Sequence, residues 1–250
     1  RRVLFRSKRM FGWRARIGYI SPTVIEVLPF EFYRFAPDGV GLVGSTCSID
    51  DWRPDEFEKG LAQVKNAAAY LGSRKVDYII HGGGPLVVAR GKGYEETIVR
   101  EIEAASGVPA TTGVRSGLEA LRHVKAKRVA IASCYPPGHN EAMANFLSSF
   151  GFEIVAAEGT NMPFKDIQKQ SPQEIYAFAS AVAARAKDAD TLYLPCPQWQ
   201  SAQVVEALEH DTGKIVVSYT HANFFCAFRA LDIGAPIRGH GKLLASLARA

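Results

Sequence analysis

Cysteine is scarce in this sequence, and its copies lie far apart. No C-x-x-C pair occurs, and no cysteine–histidine cluster has the spacing of a zinc site. We therefore expect no bound metal, and we interpret the thiols of this 250-residue chain as reduced ones in a cytoplasmic protein. The cysteines are Cys47, Cys134, Cys196 and Cys226.

Long apolar runs and two families of catalytic motif are also missing. No stretch reaches the ~20 apolar residues that span a bilayer, and no hydrophobic region follows the basic start as in a secretory signal. The sequence has no P-loop or dinucleotide glycine fingerprint, and no G-x-S-x-G elbow or Ser-His-Asp order. We expect no membrane partner.

The body of the chain has no excess of either charge. The net charge of +5 comes from five basic residues among the first nine positions, where no acid occurs. A nucleic-acid-binding protein would carry its basic patch on the fold itself, so we expect no nucleic-acid partner. We interpret residues 1–15 as a basic tail, and because Met10 is a reasonable start, residues 1–9 need not be native.

What the sequence does contain is a regular alternation of short apolar runs and longer amphipathic ones. This pattern is typical of parallel sheets covered by helices on both faces, so we predict an α/β fold. The predicted strands are 16–21, 39–47, 76–81, 108–112, 128–134, 152–157, 191–196 and 214–219. The predicted helices are 54–72, 93–106, 114–124, 138–150, 172–187, 199–210, 221–232 and 240–249.

The chain also repeats itself. Arg16-Ile-Gly-Tyr-Ile-Ser21 resembles Arg128-Val-Ala-Ile-Ala-Ser133, 112 positions later, and Asp77 to Gly83 matches Asp190 to Cys196 at 113. We predict two pseudo-symmetric, flavodoxin-like lobes with a cleft between them. Lobe 1 covers 16–112 and is completed by helices from 221–250, and lobe 2 covers 113–220.

The candidate site lies where strand ends should meet in that cleft. Cys196 ends a predicted buried strand and corresponds to Gly83 in the repeat, so we interpret it as catalytic, although a free cysteine is commonly a packing residue. Glycines after the strand 76–81 would let a ligand approach the backbone and its amides. Cys134 ends a strand and can line the same cleft, whereas Cys47 and Cys226 are interpreted as packing residues.

Other candidates have a structural interpretation beside the functional one. Hydroxyls at matching strand ends can hold a carboxylate but are often turn or cap residues. His81 is more typical of a structural hydrogen bond than of a catalyst, and Asn140 of a helix cap than of a ligand contact. The full set of predicted ligand-binding positions is Ser21, Thr23, Gly83, Gly84, Tyr135, Pro197 and Gln198, with Cys134, Asn140 and His81 as further possibilities.

These segments resemble the aspartate/glutamate racemase superfamily, closest to its maleate isomerase and arylmalonate decarboxylase branch. The best-matching stretches are the Gly83 turn through Gly91, Gly107 to Leu121, and Val129 through Glu141. Racemases and maleate isomerases of this kind resemble one another in using two cysteines, one from each lobe. Here Gly83 stands at the first position, which is similar to the decarboxylases that keep only the second thiol.

The resemblance implies cofactor-independent chemistry on a small carboxylate. A malonate-like acid would lose CO2, and the thiol of Cys196, with an ordinary pKa of about 8.5, would protonate one face of the enediolate. The decarboxylases have hydroxyl residues after that glycine, where this chain has Gly84 and Pro85, so amides, Tyr135 or Thr23 would take that role. A maleate cis-trans isomerase with a cysteine nucleophile and a non-catalytic small-carboxylate binder remain alternatives, and a homo-oligomer is possible.

Overall fold

The computed structural model describes residues 10–248, and within them eight strands form two four-stranded parallel sheets. The first nine residues of the predicted basic tail lie outside that range. The first sheet has the order β2-β1-β3-β4 and the second β6-β5-β7-β8. The strands are β1 (Ala15–Ser21), β2 (Val40–Thr46), β3 (Tyr78–His81), β4 (Ala110–Thr112), β5 (Arg128–Ser133), β6 (Glu153–Gly159), β7 (Thr191–Leu194) and β8 (Ile215–Ser218).

Ten α-helices and two short 3-10 helices connect these strands within the described residues. The 3-10 helices are Phe164–Lys169 and Ala202–Val204. The α-helices are α1 (Val27–Phe35), α2 (Pro54–Ser73), α3 (Gly84–Val88), α4 (Tyr94–Ser106), α5 (Gly113–His123), α6 (Pro137–Ser148), α7 (Pro172–Arg185), α8 (Val205–Thr212), α9 (Tyr219–Ala230) and α10 (Gly241–Ala245). No helix within 10–248 combines the length and apolar character needed to cross a membrane.

The internal repeat is confirmed by the two sheets, which share one strand order and one set of end contacts. Asp77 precedes β3 and accepts a hydrogen bond from the amide of Arg16 at 2.7 Å. Its counterpart Asp190 precedes β7 and accepts from the amide of Arg128 at 2.9 Å. Both aspartates thus align the start of a central strand with its neighbour in the same way. The α/β class predicted from the alternation is confirmed as well.

Local sequence signals explain several helix boundaries. Ser171 caps α7 and forms a reciprocal capping box with Glu174. Gly107 and Gly213 end α4 and α8 with positive φ angles of 70° and 69°, a conformation that glycine adopts without steric cost. The predicted helix 199–210 is wrong in its first half, because a 3-10 turn precedes α8, which begins at Val205.

Two short helices beside the site escaped prediction. The segment of α1 contains Pro29 and four aromatic residues, which weaken its helical signal, but Pro29 lies in the first turn, where its missing N–H removes no intrahelical bond. The segment of α3 begins at Gly84-Pro85 and has only five residues. Both helices follow carboxyl ends of first-sheet strands, the edge at which open parallel sheets bind ligands.

The helix α1 is tied to second-sheet elements by buried polar contacts. Glu31 is 1% exposed and accepts hydrogen bonds from the amide of Ala202 at 2.8 Å and from the hydroxyl of Thr220. Nearby, the Gln198 amide donates to the carbonyl of Val24 at 2.7 Å. These contacts connect the loop after β1 and the helix behind it to the turn after β7, across the cleft.

Replacing Glu31 with Gln should change how stability depends on pH. Burial raises the pKa of Glu31 from its ordinary 4.5 to about 8, so the folded protein keeps a proton that the unfolded chain releases. The free energy of unfolding of the parent should therefore fall as the pH rises from about 5 to about 8, relative to Glu31→Gln, which has no such proton. Urea denaturation at several pH values measures this difference, with the exposed Glu26→Gln as control. Parallel pH profiles for parent and Glu31→Gln would contradict the assignment.

Candidate active site

One cavity lies where the central strands of both sheets end. It encloses about 380 Å³ of space, part of it open to solvent, and its wall comes mainly from the turns after β1, β3, β5 and β7. This is the position at which open parallel sheets bind ligands. The lining residues are Pro22, Thr23, Trp52, Gly83, Pro85, Leu86, Tyr135, Phe164, Ile167, Cys196, Pro197 and Gln198.

Six of the eleven predicted site positions line the cavity. These are Cys196, Thr23, Gly83, Tyr135, Pro197 and Gln198. Gly83 is the N-terminal flank of α3 with φ of +79°, and a Cβ built there would lie 3.3 Å from Leu86 and 3.4 Å from Pro22. The backbone conformation, more than the available space, therefore makes this a glycine position.

Cys196 is joined to Cys134 by a disulfide, so the prediction that all four cysteines are reduced thiols is wrong for this pair. The strands β5 and β7 are parallel neighbours in which Ile131 lies opposite Tyr193. Continuing that register places residue 134 opposite residue 196, and their Cα atoms are 6.5 Å apart, within the usual range for a disulfide. Strand pairing thus brought together two cysteines that are remote in sequence.

The remaining cysteines are packing residues, as predicted. Cys47 and Cys226 are free and buried. Burial raises the pKa of Cys47 to about 11, and the Cys226 thiol donates to the Ser116 carbonyl at 3.6 Å. Neither lines the cavity.

Tyr135 fixes the turn that carries Cys196. Its hydroxyl donates to the carbonyl of Pro195 at 2.7 Å, and its ring packs edge-on against Trp52 with centroids 5.5 Å apart. Burial raises the pKa of Tyr135 well above its ordinary value, so the side chain is a neutral phenol. Its proton is engaged with Pro195 here, which makes it a positioning group for the thiol.

Asn140 holds the Tyr135 turn from behind. Its side-chain oxygen accepts from Ser133 at 2.6 Å, and its amide donates to the carbonyl of Tyr135 at 3.0 Å. Ser133 in turn accepts from the Tyr135 amide at 2.9 Å. Asn140 is not among the residues that line the cavity, and it does not cap α6 as the sequence suggested.

Three further predicted positions also lie behind the wall. Ser21 is buried, and its backbone carbonyl accepts from Cys47 at 2.9 Å. Gly84 begins α3, and a Cβ there would lie 3.9 Å from the Tyr135 hydroxyl oxygen. Burial lowers the pKa of His81 to about 4, so its imidazole is neutral at neutral pH and supplies no positive charge to a carboxylate.

Three hydrophobic lining residues, Trp52, Phe164 and Ile167, were not predicted from the sequence. Trp52 and Phe164 meet edge-on with centroids 4.7 Å apart, and the indole N–H of Trp52 donates to the Met162 carbonyl at 3.2 Å. Ile167 joins them from the same 3-10 segment as Phe164. Trp52 lies in a loop and the other two in a short 3-10 helix, where apolar periodicity carries little information.

The wall of the cavity is strongly apolar. None of its lining residues within the described range has a charged side chain, and its polar groups are the Thr23 hydroxyl, the Gln198 amide, the Tyr135 phenol and the backbone. Among residues 10–248, no three His, Cys, Asp or Glu side chains come together as a possible metal site. A bound carboxylate would therefore be held by hydrogen-bond donors and would lose most of its hydration.

Two curated proteins are similar to this chain over nearly its whole length. Maleate isomerase from Pseudomonas putida is 27% identical over 242 residues, which cover 92% of this chain and 96% of the relative. Arylmalonate decarboxylase from Bordetella bronchiseptica is 24% identical over 229 residues, covering 91% and 95%.

Solved structures of both enzymes share the fold. A maleate isomerase from Pseudomonas putida S16 with maleate, a cysteine-to-alanine variant, gives a TM-score of 0.87 at 19% identity, covering 94% of this chain and 98% of that one. Arylmalonate decarboxylase gives 0.81 at 23% identity, covering 92% and 98%. The Nocardia farcinica maleate cis-trans isomerase with a covalently bound succinylcysteine intermediate gives 0.84 at 20% identity, covering 92% and 98%.

The family model for arylmalonate decarboxylase matches residues 17–244, which include every strand after the start of β1 and the whole cavity wall. Together with the two parallel sheets of identical order, this match confirms the resemblance inferred from the sequence. The chain belongs to the arylmalonate decarboxylase family, whose relatives include maleate isomerases.

Proposed function

We propose that this chain is a cofactor-independent decarboxylase of small malonate-type acids, in which the thiol of Cys196 protonates one face of an enediolate. The observation that carries this proposal is the cavity wall, which combines one sulfur with apolar residues and no charged side chain. Gly83 lines the same cavity and contributes no side chain, so a single group is available to deliver a proton.

The apolar wall favours loss of CO2 for a physical reason. An ionised carboxylate taken from water into such surroundings loses solvation, whereas CO2 is neutral and loses little. Two carboxylates on one carbon differ in fate if one faces hydrophobic atoms and the other faces hydrogen-bond donors. The lining side chains of Trp52, Leu86 and Phe164 are apolar and would surround the leaving carboxylate.

When CO2 departs, the electron pair of the broken bond stays on the α-carbon and delocalises into the remaining carboxylate. The resulting enediolate must be stabilised. The Thr23 hydroxyl and backbone amides of the Gly83 turn are the available donors, since the Tyr135 proton is already given to Pro195. In the reduced enzyme the Cys196 S–H then gives its proton to the α-carbon, and the resulting thiolate regains a proton from water. The C–C bond breaks, one C–H bond forms, and no electrons are transferred to another molecule.

A maleate cis-trans isomerase is the second candidate. It is favoured by the slightly higher identity to a maleate isomerase, 27% against 24% for the decarboxylase, and by the presence of a sulfur nucleophile in the cavity. Addition of the Cys196 thiolate to the double bond would allow rotation before the sulfur leaves. A cytoplasmic location and a homo-oligomeric state stay predictions.

Substituting Cys196 with Ala should abolish most turnover. In fully reduced protein we expect a loss of about 10²–10⁴-fold in kcat on whichever malonate or maleate analogue is accepted, because the proton donor or nucleophile is removed. Cys47→Ala, a buried cysteine away from the cavity, is the matched control and should keep its rate. Unchanged turnover in folded Cys196→Ala would exclude the thiol mechanism. Saturable thermal stabilisation by the acids without turnover in the parent would favour a binder.

Turnover of a disubstituted malonate in D2O should yield one enantiomer of the α-deuterated acid. A thiol fixed on one wall protonates one face, and no side chain stands at Gly83 to protonate the other. Chiral chromatography with mass spectrometry measures both label and configuration. A racemic labelled product would contradict protonation by Cys196 alone.

Replacing Gly83 with Cys should introduce exchange of the α-proton in a product acid. The second thiol would serve the face that now lacks a group, although φ of +79° strains any L side chain at a cost of about 1–3 kcal/mol. Gly83→Ala carries the same backbone strain without a thiol, so it separates the two effects. Deuterium exchange seen by NMR in Gly83→Cys and absent in Gly83→Ala is expected. If neither variant exchanges the α-proton although both are folded, Gly83 does not face the reacting carbon.

A further inference from the structure

Cys196, which lines the cavity, forms a disulfide with Cys134. We propose that these two cysteines form a reversible redox gate on the active site. Oxidation to the disulfide withdraws the Cys196 thiol, and reduction restores it. The gate rests on the proposed function, in which that thiol is the reacting group.

The fold holds the two positions together before any bond forms. They are separated by 62 residues, the same offset that relates Ile131 to Tyr193 in the paired strands β5 and β7. The Tyr135 hydroxyl, on the residue after Cys134, bonds the carbonyl of Pro195, on the residue before Cys196. This hydrogen bond therefore joins the turn after β5 to the turn after β7, close to both sulfurs.

The first lobe shows that this closeness belongs to the fold and does not depend on the disulfide. By the internal repeat, Cys134 corresponds to Pro22 and Cys196 to Gly83. A Cβ built on Gly83 would lie 3.4 Å from the Cβ of Pro22. The same two strand-end positions approach each other in both lobes, and only the second lobe fills them with cysteine.

The two sulfurs differ in access. Both residues are almost fully buried, at 0% and 1% exposed, but Cys196 lines the cavity whereas Cys134 lies behind it. A small oxidant such as a peroxide can reach Cys196 by the route that admits substrate. Cys134 is shielded from the oxidant yet within reach of Cys196, which is the arrangement of a resolving thiol.

The chemistry balances with a peroxide as the oxidant and a dithiol as the reductant. The Cys196 thiolate attacks a peroxide oxygen and breaks the O–O bond, giving a sulfenic acid and, for hydrogen peroxide, hydroxide that takes up a proton as water. The Cys134 thiolate then attacks the Cys196 sulfur and expels the sulfenic oxygen as water. Two thiols are oxidised and one peroxide is reduced. A dithiol reverses the bond by thiol–disulfide exchange.

The test compares the reduced parent with Cys134→Ser and with the control Cys47→Ser after treatment with hydrogen peroxide and then with dithiothreitol. Free thiols and intact mass are read beside turnover of methylmalonate, phenylmalonate and maleate. In the parent and Cys47→Ser we expect a loss of two thiols, a mass decrease of two hydrogens, at least a tenfold loss of turnover, and full recovery. Cys134→Ser should instead gain oxygen atoms and recover little, because its sulfenic acid has no partner and oxidises further.

The thiol counts and masses show whether a failed test rejects the redox gate or the proposed function. If no disulfide forms in the parent while Cys196→Ala is inactive, the gate is wrong and the thiol mechanism stands. If the disulfide forms and turnover is unaffected, both are wrong. Recovery of Cys134→Ser as complete as that of the parent would also overturn the gate.

Discussion

The structure depends most on the parallel pairing of the central strands, because that pairing decides which residues meet at the cavity. Both sheets place their central strands side by side, and the turns after β1, β3, β5 and β7 supply most of the cavity wall. This pairing brings the turn after β1 next to the turn after β3, and the turn after β5 next to the turn after β7. The aspartates that precede β3 and β7 set it at the far end of each sheet.

An apolar wall and a single sulfur follow from that arrangement. With no charged lining side chain, a carboxylate in this cavity would meet only hydrogen-bond donors and apolar atoms. The Tyr135–Pro195 hydrogen bond and the Ser133–Asn140 pair behind it keep the sulfur-bearing turn in place. The same hydrogen bond holds the turn of Cys134 beside that of Cys196, so the contact that positions the proposed reacting group also keeps a second sulfur within bonding distance of it.

Much of this could be predicted from the sequence, because it lies in buried strands with clear patterns. The two lobes, their repeat and the strand-end position of Cys196 all follow from apolar periodicity and self-similarity. The disulfide could not be predicted in this way, because a pairing register is a property of two strands and no single segment encodes it. Residues such as Trp52 and Phe164 were likewise missed because they reach the cavity from irregular segments. Asn140 and His81 are further site candidates from the sequence, and neither of them lines the cavity.

The proposed function requires the reduced protein to break a carbon–carbon bond to a carboxyl group. Incubating it with carboxyl-¹³C malonates and with ¹³C maleate, and following both by NMR, tests this most directly. We expect labelled CO2 and bicarbonate from at least one malonate, with no label lost from maleate. Conversion of maleate to fumarate, with no labelled CO2 from any malonate, would contradict it.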